Sequence, residues 1–586
     1  MVPPASPFRR ALQVGFISVA AMAALLLTVC AYSLVYPVTA NGVERFSSGK
    51  QRAFDMPLMD LLIESGHLRG SFDMFVPSRW SPLVFMRYFR NRTPMDTLTV
   101  NGVGVAFHRD QFIMDLSSVL HLGWNHFEFS MHMEDDIPSF IFGLEPSRQN
   151  AVPWIYFFAC LTIILVWYRL LLRILFPSGF PRPIGLVLLG GVVLRTAYTF
   201  ALPYYIHAHD VSGHVAYLQH VATHWTVPLT FSSWQAHQAP LYYFFAAPFY
   251  AVAERFVSPA LALVYVQQLS LLLAVGMLLT GVGILRFVFG TDRVRMLLGV
   301  AFLSVFPGLI FLTSQINNDV LVTFLGFLWF LQILRAVKSR RLWDWGIVGL
   351  IIGFGIVTKG NALLWLPVTA LSAVAGMDTW KRRFSSVVLS TLLAVVVASP
   401  LLLWRHRADP NYGLVANAQL LQGSKLLQPS VRELFSFNPI EVLLHRQMLG
   451  ADAGARSQNF PEAVFLTSQF GYADFGQEAS VLLVFGMLLF PLVFLGGFKM
   501  MRRGDSVPVI ILGSLLFCLL LFRLKSPYLP SQNFRYIVVA VLPLSILVAE
   551  GAVFFRPLLI RAFTQMSVIL YLLSAAVFFF GIVMGT

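Results

Sequence analysis

The sequence contains few charged residues. Asp, Glu, Lys and Arg make up only 12% of its 586 residues, against about a quarter in an average soluble domain. Cysteine is scarce as well, and Cys30, Cys160 and Cys518 all lie inside apolar stretches. That placement excludes a disulfide framework and a cysteine-based metal site, because neither has the necessary spacing, and it indicates packing residues. An ordinary soluble domain is therefore excluded.

Apolar runs dominate instead, and hydrophobic residues reach 57% of the chain. A helix of about 20 apolar residues crosses a hydrocarbon layer of ~30 Å. The runs lack the period-2 alternation of a transmembrane barrel, so we predict a polytopic α-helical membrane protein. Thirteen spans are expected, near residues 12–37, 152–176, 184–203, 259–287, 294–313, 317–337, 343–358, 361–378, 384–404, 479–499, 507–523, 534–552 and 563–584.

The formal net charge of +14 does not indicate a nucleic-acid partner, because Lys and Arg form short clusters between the apolar runs. Such clusters orient membrane helices by staying on the cytoplasmic side. One further run, 239–253, is ambiguous. If it lies along the outer interface, each basic cluster falls inside, whereas a span there would invert most of them. We therefore predict a juxtamembrane helix there and two long external loops, 204–258 and 405–478.

The polar region 40–150 alternates apolar and polar residues around turn signals such as Asn101-Gly102, which predicts β-strands. Its segment 96–133 resembles the sugar-binding jelly-roll domains attached to many glycosidases. The resemblance implies an extracytoplasmic β-sandwich (jelly-roll) domain, whose role is either carbohydrate binding or that of a plain scaffold. The predicted organisation is an N-terminal transmembrane anchor at 1–39, the β domain at 40–150, a second transmembrane helix and cytoplasmic link at 151–183, and a membrane module at 184–586.

The first external loop carries the most informative residues, since it holds six of the thirteen histidines. Asp210 precedes residues 211–224, a plausible short helix in which Asp210 and His214 are neighbours. Asp210 fits two roles that do not exclude each other. It is a suitable N-cap for the helix, and it is a carboxylate at a wet membrane interface that can act as a general base. His214 would then orient or tune it.

A divalent metal is a further possibility at the same place. His207, His209, Asp210 and His214 have a spacing that could ligate one, and the metal would offset developing phosphate charge. A bound metal would also compete with Asp210 acting as a free base. Interfacial histidines that only form hydrogen bonds remain the alternative.

Five short stretches with polar residues follow one another along 184–555. They are Asp210 with His214, His237 to Tyr243, Asn317 to Asp319, Thr358 to Asn361, and Gln532 to Tyr536. Together they resemble motifs of the GT-C glycosyltransferases, and most closely of the protein-mannosyltransferase and aminoarabinose-transferase type. Their order and their shared external side carry the resemblance, because no single motif is specific. One departure is Ala239, where members of the family often have Pro.

The resemblance implies an inverting transfer of one sugar from a polyprenyl-phosphate carrier to an acceptor hydroxyl, with Asp210 as the base. The acceptor is a protein, a lipid or a glycan, and the expected location is the bacterial inner membrane with the site facing the periplasm. The carrier phosphate needs nearby positive charge. Arg535 and Lys359 are the first candidates and Arg523 and Lys525 the alternates, although each cation could simply snorkel to the interface.

The remaining motif residues are expected to contact substrate. These are His237, Gln238, Tyr242, Tyr243, Asn318, Asp319, Asn533 and Tyr536. Asp319 could instead pair with one of the four cations or cap its helix.

Two other functions stay open. A transporter or flippase for lipid-linked glycans would use polar residues within the spans, such as Asp319 and Arg195, to line a path. No internal repeat supports it. A polysaccharide polymerase or ligase would share the lipid-linked donor but transfer an oligosaccharide.

Overall fold

The computed structural model describes most of the membrane module and part of the region before it. The described residues are 7–35, 39–45, 51–54, 58–60, 67–76, 82–88, 95–105, 113–116, 119–121, 123–132, 139–146, 151–202, 204, 210–230, 232, 235–257, 259–409, 431–444, 459–471, 480–526 and 529–585.

Helices account for nearly all of the described residues after position 150. The α-helices are α1 Pro7–Val35, α2 Ala151–Leu175, α3 Arg182–Ala201, α4 Val211–His224, α5 Leu241–Ala253, α6 Pro259–Phe289, α7 Arg293–Val305, α8 Pro307–Ile310, α9 Asn318–Ser339, α10 Leu342–Thr358, α11 Trp365–Gly376, α12 Trp380–Ala408, α13 Val431–Phe435, α14 Pro439–Leu444, α15 Phe460–Phe470, α16 Ser480–Met487, α17 Leu489–Arg502, α18 Val507–Lys525, α19 Val541–Ala552 and α20 Leu558–Gly585. Short 3-10 helices are Phe311–Ser314, Gly360–Leu364, Leu529–Gln532 and Phe534–Ala540.

Ten helices in the described part of the chain are long and apolar enough to cross a membrane, which confirms a polytopic α-helical membrane protein. An eleventh span results if α7 and the helical segment Pro307–Ser314, which meet at a 55° bend, are counted together. The predicted spans at 343–358 and 361–378 are helical but shorter than the rest. Length and composition therefore support ten or eleven of the thirteen expected spans.

The ambiguous run forms α5, a helix of 13 residues with Pro248 inside it. At a rise of 1.5 Å per residue it is roughly 20 Å long, which is shorter than a ~30 Å hydrocarbon layer. Its length agrees with the expectation that this helix does not cross the membrane.

The strands of the region before α2 form two antiparallel sheets. The strand order is β2-β1-β4-β9-β6-β7 in the six-stranded sheet and β3-β10-β5-β8 in the four-stranded sheet. Asn101 and Gly102, both with positive φ, connect β6 to β7 as the turn signal predicted. The strands are β1 Thr39–Arg45, β2 Gln51–Phe54, β3 Leu58–Asp60, β4 His67–Val76, β5 Pro82–Tyr88, β6 Met95–Val100, β7 Val103–Gly104, β8 Ile113–Asp115, β9 Gly123–His132 and β10 Ser139–Pro146. The β-sandwich itself stays a prediction.

The chain divides into two compact units, which are described separately. The first comprises Met1–Trp167, Asp210–His224 and Ala246–Gln268, and the second Tyr168–His209, Trp225–Phe245 and Leu269–Thr586.

Within the first unit, polar and aromatic contacts join α1 to its neighbours. The indole of Trp167 donates to Ser18 Oγ at 3.1 Å, and Tyr265 donates its hydroxyl to the carbonyl of Met22 at 3.0 Å. Hydrogen bonds of this kind connect helices in a membrane, where apolar contact alone gives little preference for protein over lipid.

The second unit contains the bend after α7, and a buried arginine explains how the bend is tolerated. Pro307 interrupts the helix and leaves carbonyls at the end of α7 without their usual amide partners. Arg195 of α3, only 1% exposed, donates to the carbonyls of Leu303 and Ser304 at 2.9 and 2.7 Å. Its charge therefore caps a helix end, where a cation is favoured, and this accounts for its presence in an apolar segment.

An ion cluster joins three helices of the same unit. The carboxylate of Glu550, at the end of α19, lies 3.1 Å from Arg295, 2.9 Å from Lys499 and 3.3 Å from Arg503. Glu550 is buried, so its charge requires such partners. The cluster connects the start of α7 and the end of α17 to α19.

Candidate functional site

Four of the five motif regions come together in the second unit. Each region lies at the end of a helix or in a turn, so its polar groups extend beyond the apolar spans. The regions are the turn ending at Gln238, the start of α9, the end of α10 with the following residues, and the start of the 3-10 helix Phe534–Ala540. Hydrogen bonds and one ion pair connect them into a single polar cluster.

The ion pair is formed by Asp319 and Lys359. Asn317 caps α9 by accepting a hydrogen bond from the backbone N–H of Asp319, which holds the Asp319 carboxylate in the first turn. The Nζ of Lys359 lies 2.6 Å from Oδ1 of Asp319, and the two side chains are 8% and 3% exposed. At this distance and burial each charge stabilises the other, so Lys359 already has a counterion.

A chain of amides runs from the end of α10 to His237. Asn318 donates to the carbonyl of Thr358 at 3.2 Å and to Oε1 of Gln238 at 3.1 Å. With its oxygen engaged there, the Gln238 amide nitrogen faces Gln235 Oε1 and Nε2 of His237, both at 3.0 Å. Because the nitrogen can only donate, it pairs with His237 in the tautomer that carries no proton on Nε2. The backbone carbonyl of Thr358 therefore determines the orientation of every group in the chain.

Arg405 holds the same turn from another side, and the sequence-based prediction missed it. This buried arginine near the end of α12 donates to the carbonyls of Ala236 and Gln238. The nearby Asp409 accepts from the backbone N–H of Thr230 at 2.6 Å. An arginine directly after the predicted span 384–404, beside a loop, was the available signal.

Tyr536 connects the cations to the last motif. Its ring centroid lies 5.9 Å from Lys359 Nζ and 5.3 Å from Arg535 Cζ, and its carbonyl accepts from Asn361 at 3.0 Å. Both cations lie within the range of cation–π attraction. Asn533 caps the 3-10 helix by accepting from the Arg535 N–H at 2.7 Å. The two first phosphate candidates, Arg535 and Lys359, therefore both lie next to the ring of Tyr536.

The two alternates differ in their surroundings. Arg523 is 1% exposed and donates from Nε to Gln532 at 3.1 Å, whereas Lys525 is exposed at the end of α18. A buried guanidinium can hold an oxyanion in a dry site with two parallel hydrogen bonds. Lys525 has the exposure expected of a snorkelling side chain.

Tyr242 and Tyr243 are both fully buried at the start of α5. Their rings pack edge to face with centroids 5.4 Å apart. Within the described part of the chain they contribute to the packing under the turn, and a substrate contact for them stays a prediction.

Asp210 and His214 belong to the first unit. Asp210 directly precedes α4, and its carbonyl accepts from the His214 N–H at 3.1 Å, as an N-cap residue does. Its φ of +53° is left-handed, a conformation that Asp adopts more readily than most residues and that recurs at functional sites. His214 is buried. The helix predicted at 211–224 is confirmed to the residue.

A hydrogen-bonded relay joins α4 to the end of α5 within this unit. Gln219 donates to the Tyr250 hydroxyl at 3.1 Å, and that hydroxyl donates to Glu254 at 3.1 Å. Next to it, the rings of His220 and His224 stack at 4.7 Å. Partial burial, with a smaller contribution from His224, lowers the pKa of His220 below its ordinary value.

The predicted metal ligands include His207 and His209, which lie outside the described residues. Among the residues that the structure does describe, no group of three or more His, Cys, Asp or Glu side chains is placed to hold a metal ion. The metal therefore stays a prediction that only experiment can test.

Residues 237–404 match the family of dolichyl-phosphate-mannose-protein mannosyltransferases. The match begins at His237 and contains the Asn317–Asp319 and Thr358–Asn361 motifs. It confirms the resemblance to glycosyltransferases of the protein-mannosyltransferase and aminoarabinose-transferase type.

A more particular relative points to the same class. The undecaprenyl phosphate-alpha-4-amino-4-deoxy-L-arabinose arabinosyl transferase 1 of Pseudomonas fluorescens (strain Pf0-1) is 38% identical over 88 residues. The aligned segment covers 14% of this chain and 15% of that protein. Both comparisons indicate a glycosyltransferase. Because they cover only part of the chain, they leave its substrates and partners open.

Two solved structures align with about two thirds of the chain. An oligosaccharyltransferase of Archaeoglobus fulgidus, in complex with Zn and sulfate, has a TM-score of 0.43 and 15% identity, covering 67% of this chain and 52% of that one. ArnT from Cupriavidus metallidurans in the apo state has a TM-score of 0.41 and 12% identity, covering 68% and 76%. Likeness at this level carries no conclusion about mechanism.

Proposed function

We propose that the protein is a membrane glycosyltransferase that transfers a single sugar from a polyprenyl-phosphate-linked donor to an acceptor hydroxyl, with inversion at the anomeric carbon. The observation that carries the proposal is the convergence of four ordered motifs on one buried polar cluster in the second unit. The family match over residues 237–404 supports the class of reaction, and the arabinosyl transferase relative supports a lipid-phosphate carrier.

The charges in the cluster support an anionic ligand. Asp319 neutralises Lys359, whereas Arg523 forms no ion pair among the described residues, so we place Arg523 first for the leaving phosphate, with Arg535 beside Tyr536 as the second cation. Departure of the carrier places charge on phosphate oxygens, and preorganised cations stabilise it more strongly in a buried site than in water. Lys359 and Tyr536 then shape the site around Arg535. Gln238, with His237, Asn318, Asp319 and Asn533, supplies polar contacts to the substrate.

Asp210 is the proposed general base. Its place just before a short, partly polar helix suits removal of a proton from an acceptor that arrives from water. His214, the first residue whose N–H bonds to Asp210, would orient it. A divalent metal bound by His207, His209, Asp210 and His214 remains compatible with the sequence.

The proposed setting is the bacterial inner membrane with the site facing the periplasm, since the basic clusters then fall on the cytoplasmic side. The acceptor is a protein, lipid or glycan. For residues 40–150 we propose a β-sandwich that binds carbohydrate. Two antiparallel sheets with long-range strand pairing support the sandwich.

Transfer is tested with the full chain in nanodiscs, given radiolabelled polyprenyl-phosphate sugars and an acceptor extract. Asp210→Asn should lose transfer at wild-type expression, because the amide cannot accept the proton. Asp378→Asn serves as the matched control, since Asp378 lies in a surface pair with Arg340 and Arg382 and should keep transfer. Full activity of Asp210→Asn would exclude the base assignment.

Two further measurements separate the alternatives. Treatment with EDTA followed by metal readdition tests whether transfer needs a divalent metal, and an unchanged transfer rate would exclude the metal. Transport of the intact lipid-linked donor without label transfer would favour a flippase, and transfer of an oligosaccharide would favour a polymerase or ligase.

A further inference from the structure

Four side chains in the polar cluster each carry one buried polar atom without a hydrogen-bond partner among the described residues. The atoms are Oδ1 of Asn318, Oδ1 of Asn361, Nδ2 of Asn533 and Nη2 of Arg523. Asn318, Asn533 and Arg523 are at most 1% exposed, so water at the protein surface does not reach them. An unpaired buried polar group destabilises the folded protein, so several such groups in one cluster indicate a ligand that pairs with them.

The backbone determines which end of each asparagine is unpaired. The Asn318 nitrogen donates to the Thr358 carbonyl and the Asn361 nitrogen donates to the Tyr536 carbonyl. The atom without a partner is therefore the side-chain oxygen in both residues. The amide of Asn533 has the opposite orientation, because its oxygen accepts from the Arg535 N–H and its nitrogen is the atom without a partner. A backbone carbonyl cannot donate and a backbone N–H cannot accept, so turning any of these amides round would break its bond.

The unpaired atoms also separate along the chain into two groups of opposite polarity. The acceptors belong to Asn318 and Asn361, on either side of the Lys359 segment. The donors belong to Asn533 and Arg523. Gln532 connects these two residues, because it accepts a hydrogen bond from Arg523 and directly precedes Asn533 in the chain. The Asn361–Tyr536 bond connects the two groups.

Resting on the proposed function, we infer that this polarity orients the lipid-linked donor. Asn318 and Asn361 accept hydrogen bonds from hydroxyl groups of its sugar, whereas Asn533 and Arg523 donate to its phosphate oxygens. The sugar is an uncharged one, because the carboxylate of Asp319, which follows Asn318 in the chain, is already neutralised by Lys359. A cationic amino sugar would lack a counter-charge at this end.

Asn533→Asp tests the phosphate end. The change keeps the oxygen that caps the 3-10 helix and converts only the unpaired nitrogen into an anionic oxygen, which repels phosphate. Binding of a short-chain polyprenyl phosphate without sugar should weaken at least about tenfold. Asn438→Asp is the matched control, because Asn438 is an exposed residue whose oxygen likewise accepts from the N–H two residues on. Its binding should equal that of the wild type.

Asn361→Leu tests the sugar end with the same full-length protein. It should leave binding of bare polyprenyl phosphate unchanged and weaken binding of the polyprenyl-phosphate hexose about tenfold. In competition, a neutral hexose donor should bind more tightly than an amino-sugar donor. Equal losses for both ligands in both variants, or a preference for the amino sugar, would overturn the inference. A wild-type protein that binds neither lipid would instead reject the proposed function.

Discussion

The ammonium of Lys359 and the carboxylate of Asp319 form a buried ion pair, with Nζ 2.6 Å from Oδ1. The pair links the end of α10 to the start of α9, at the centre of the polar cluster. A lysine with a buried counterion is a weaker phosphate ligand than a cation without one, so we propose Arg523, which forms no ion pair among the described residues, ahead of Lys359.

Removing one member of this pair should destabilise the protein more than removing both charges. Lys359→Met leaves Asp319 buried without a counter-charge, at a cost of about 3–5 kcal/mol, whereas Lys359→Met combined with Asp319→Asn should recover much of it. Thermal unfolding in detergent, followed by fluorescence-detected size exclusion, measures the order. Equal midpoints for the wild type and Lys359→Met would contradict the prediction.

Arg405 should position the turn that carries His237 and Gln238. Arg405→Lys removes the planar fork that reaches two carbonyls at once, and we expect transfer to fall roughly tenfold. The exposed Arg407, two residues on, supplies the control Arg407→Lys, which should be silent. Separate kcat and KM values for the lipid donor distinguish positioning from unfolding. A parallel loss of folded protein would point to stability alone.

Two glycines should be essential for packing α17 against α19. A Cβ on Gly551 would lie 2.0 Å from the Leu492 carbonyl oxygen, and one on Gly496 would lie 2.0 Å from that of Leu547. Since real contacts are never this short, Gly551→Ala must push the helices apart and should lower the unfolding midpoint strongly. Gly581→Ala, with open space at its Cβ, should leave the free energy of unfolding within about 0.5 kcal/mol of the wild type.

The stability of α4 should decrease as the pH falls through the ordinary pKa of histidine. The pKa of His220 is lowered in the folded protein by burial and then by His224, so the unfolded segment binds protons more readily. The contribution of neutral His220 to the stability of α4 is therefore fully present above about pH 6.5 and is lost as the pH falls below that value. Hydrogen exchange of residues 211–224, corrected for intrinsic rates, should accelerate between pH 7.5 and 5.5. His220→Gln should reduce this pH dependence, while His224→Gln should reduce it less.

Local features of the sequence determined much of the fold. All thirteen apolar runs are helical, the helix after Asp210 has its predicted bounds, and the Asn101-Gly102 turn connects two strands. Such features depend on hydrophobic run length, capping and turn residues, which act over a few neighbouring positions. The order of the five motifs was equally visible, and four of them meet as the resemblance implied.

The tertiary structure alone decided what these residues do to one another. Arg195, a possible path-lining residue from the sequence, caps the end of α7, and Lys359, a possible phosphate ligand, is neutralised by Asp319, 40 positions away. Arg405 contacts a turn 167 positions earlier. Charge and hydrogen-bond partners depend on distances of a few ångström between helix ends, and the spacing of residues along a chain does not contain those distances. The sequence therefore determined which polar residues lie at helix ends, and the packing of the helices decided which of them are already paired.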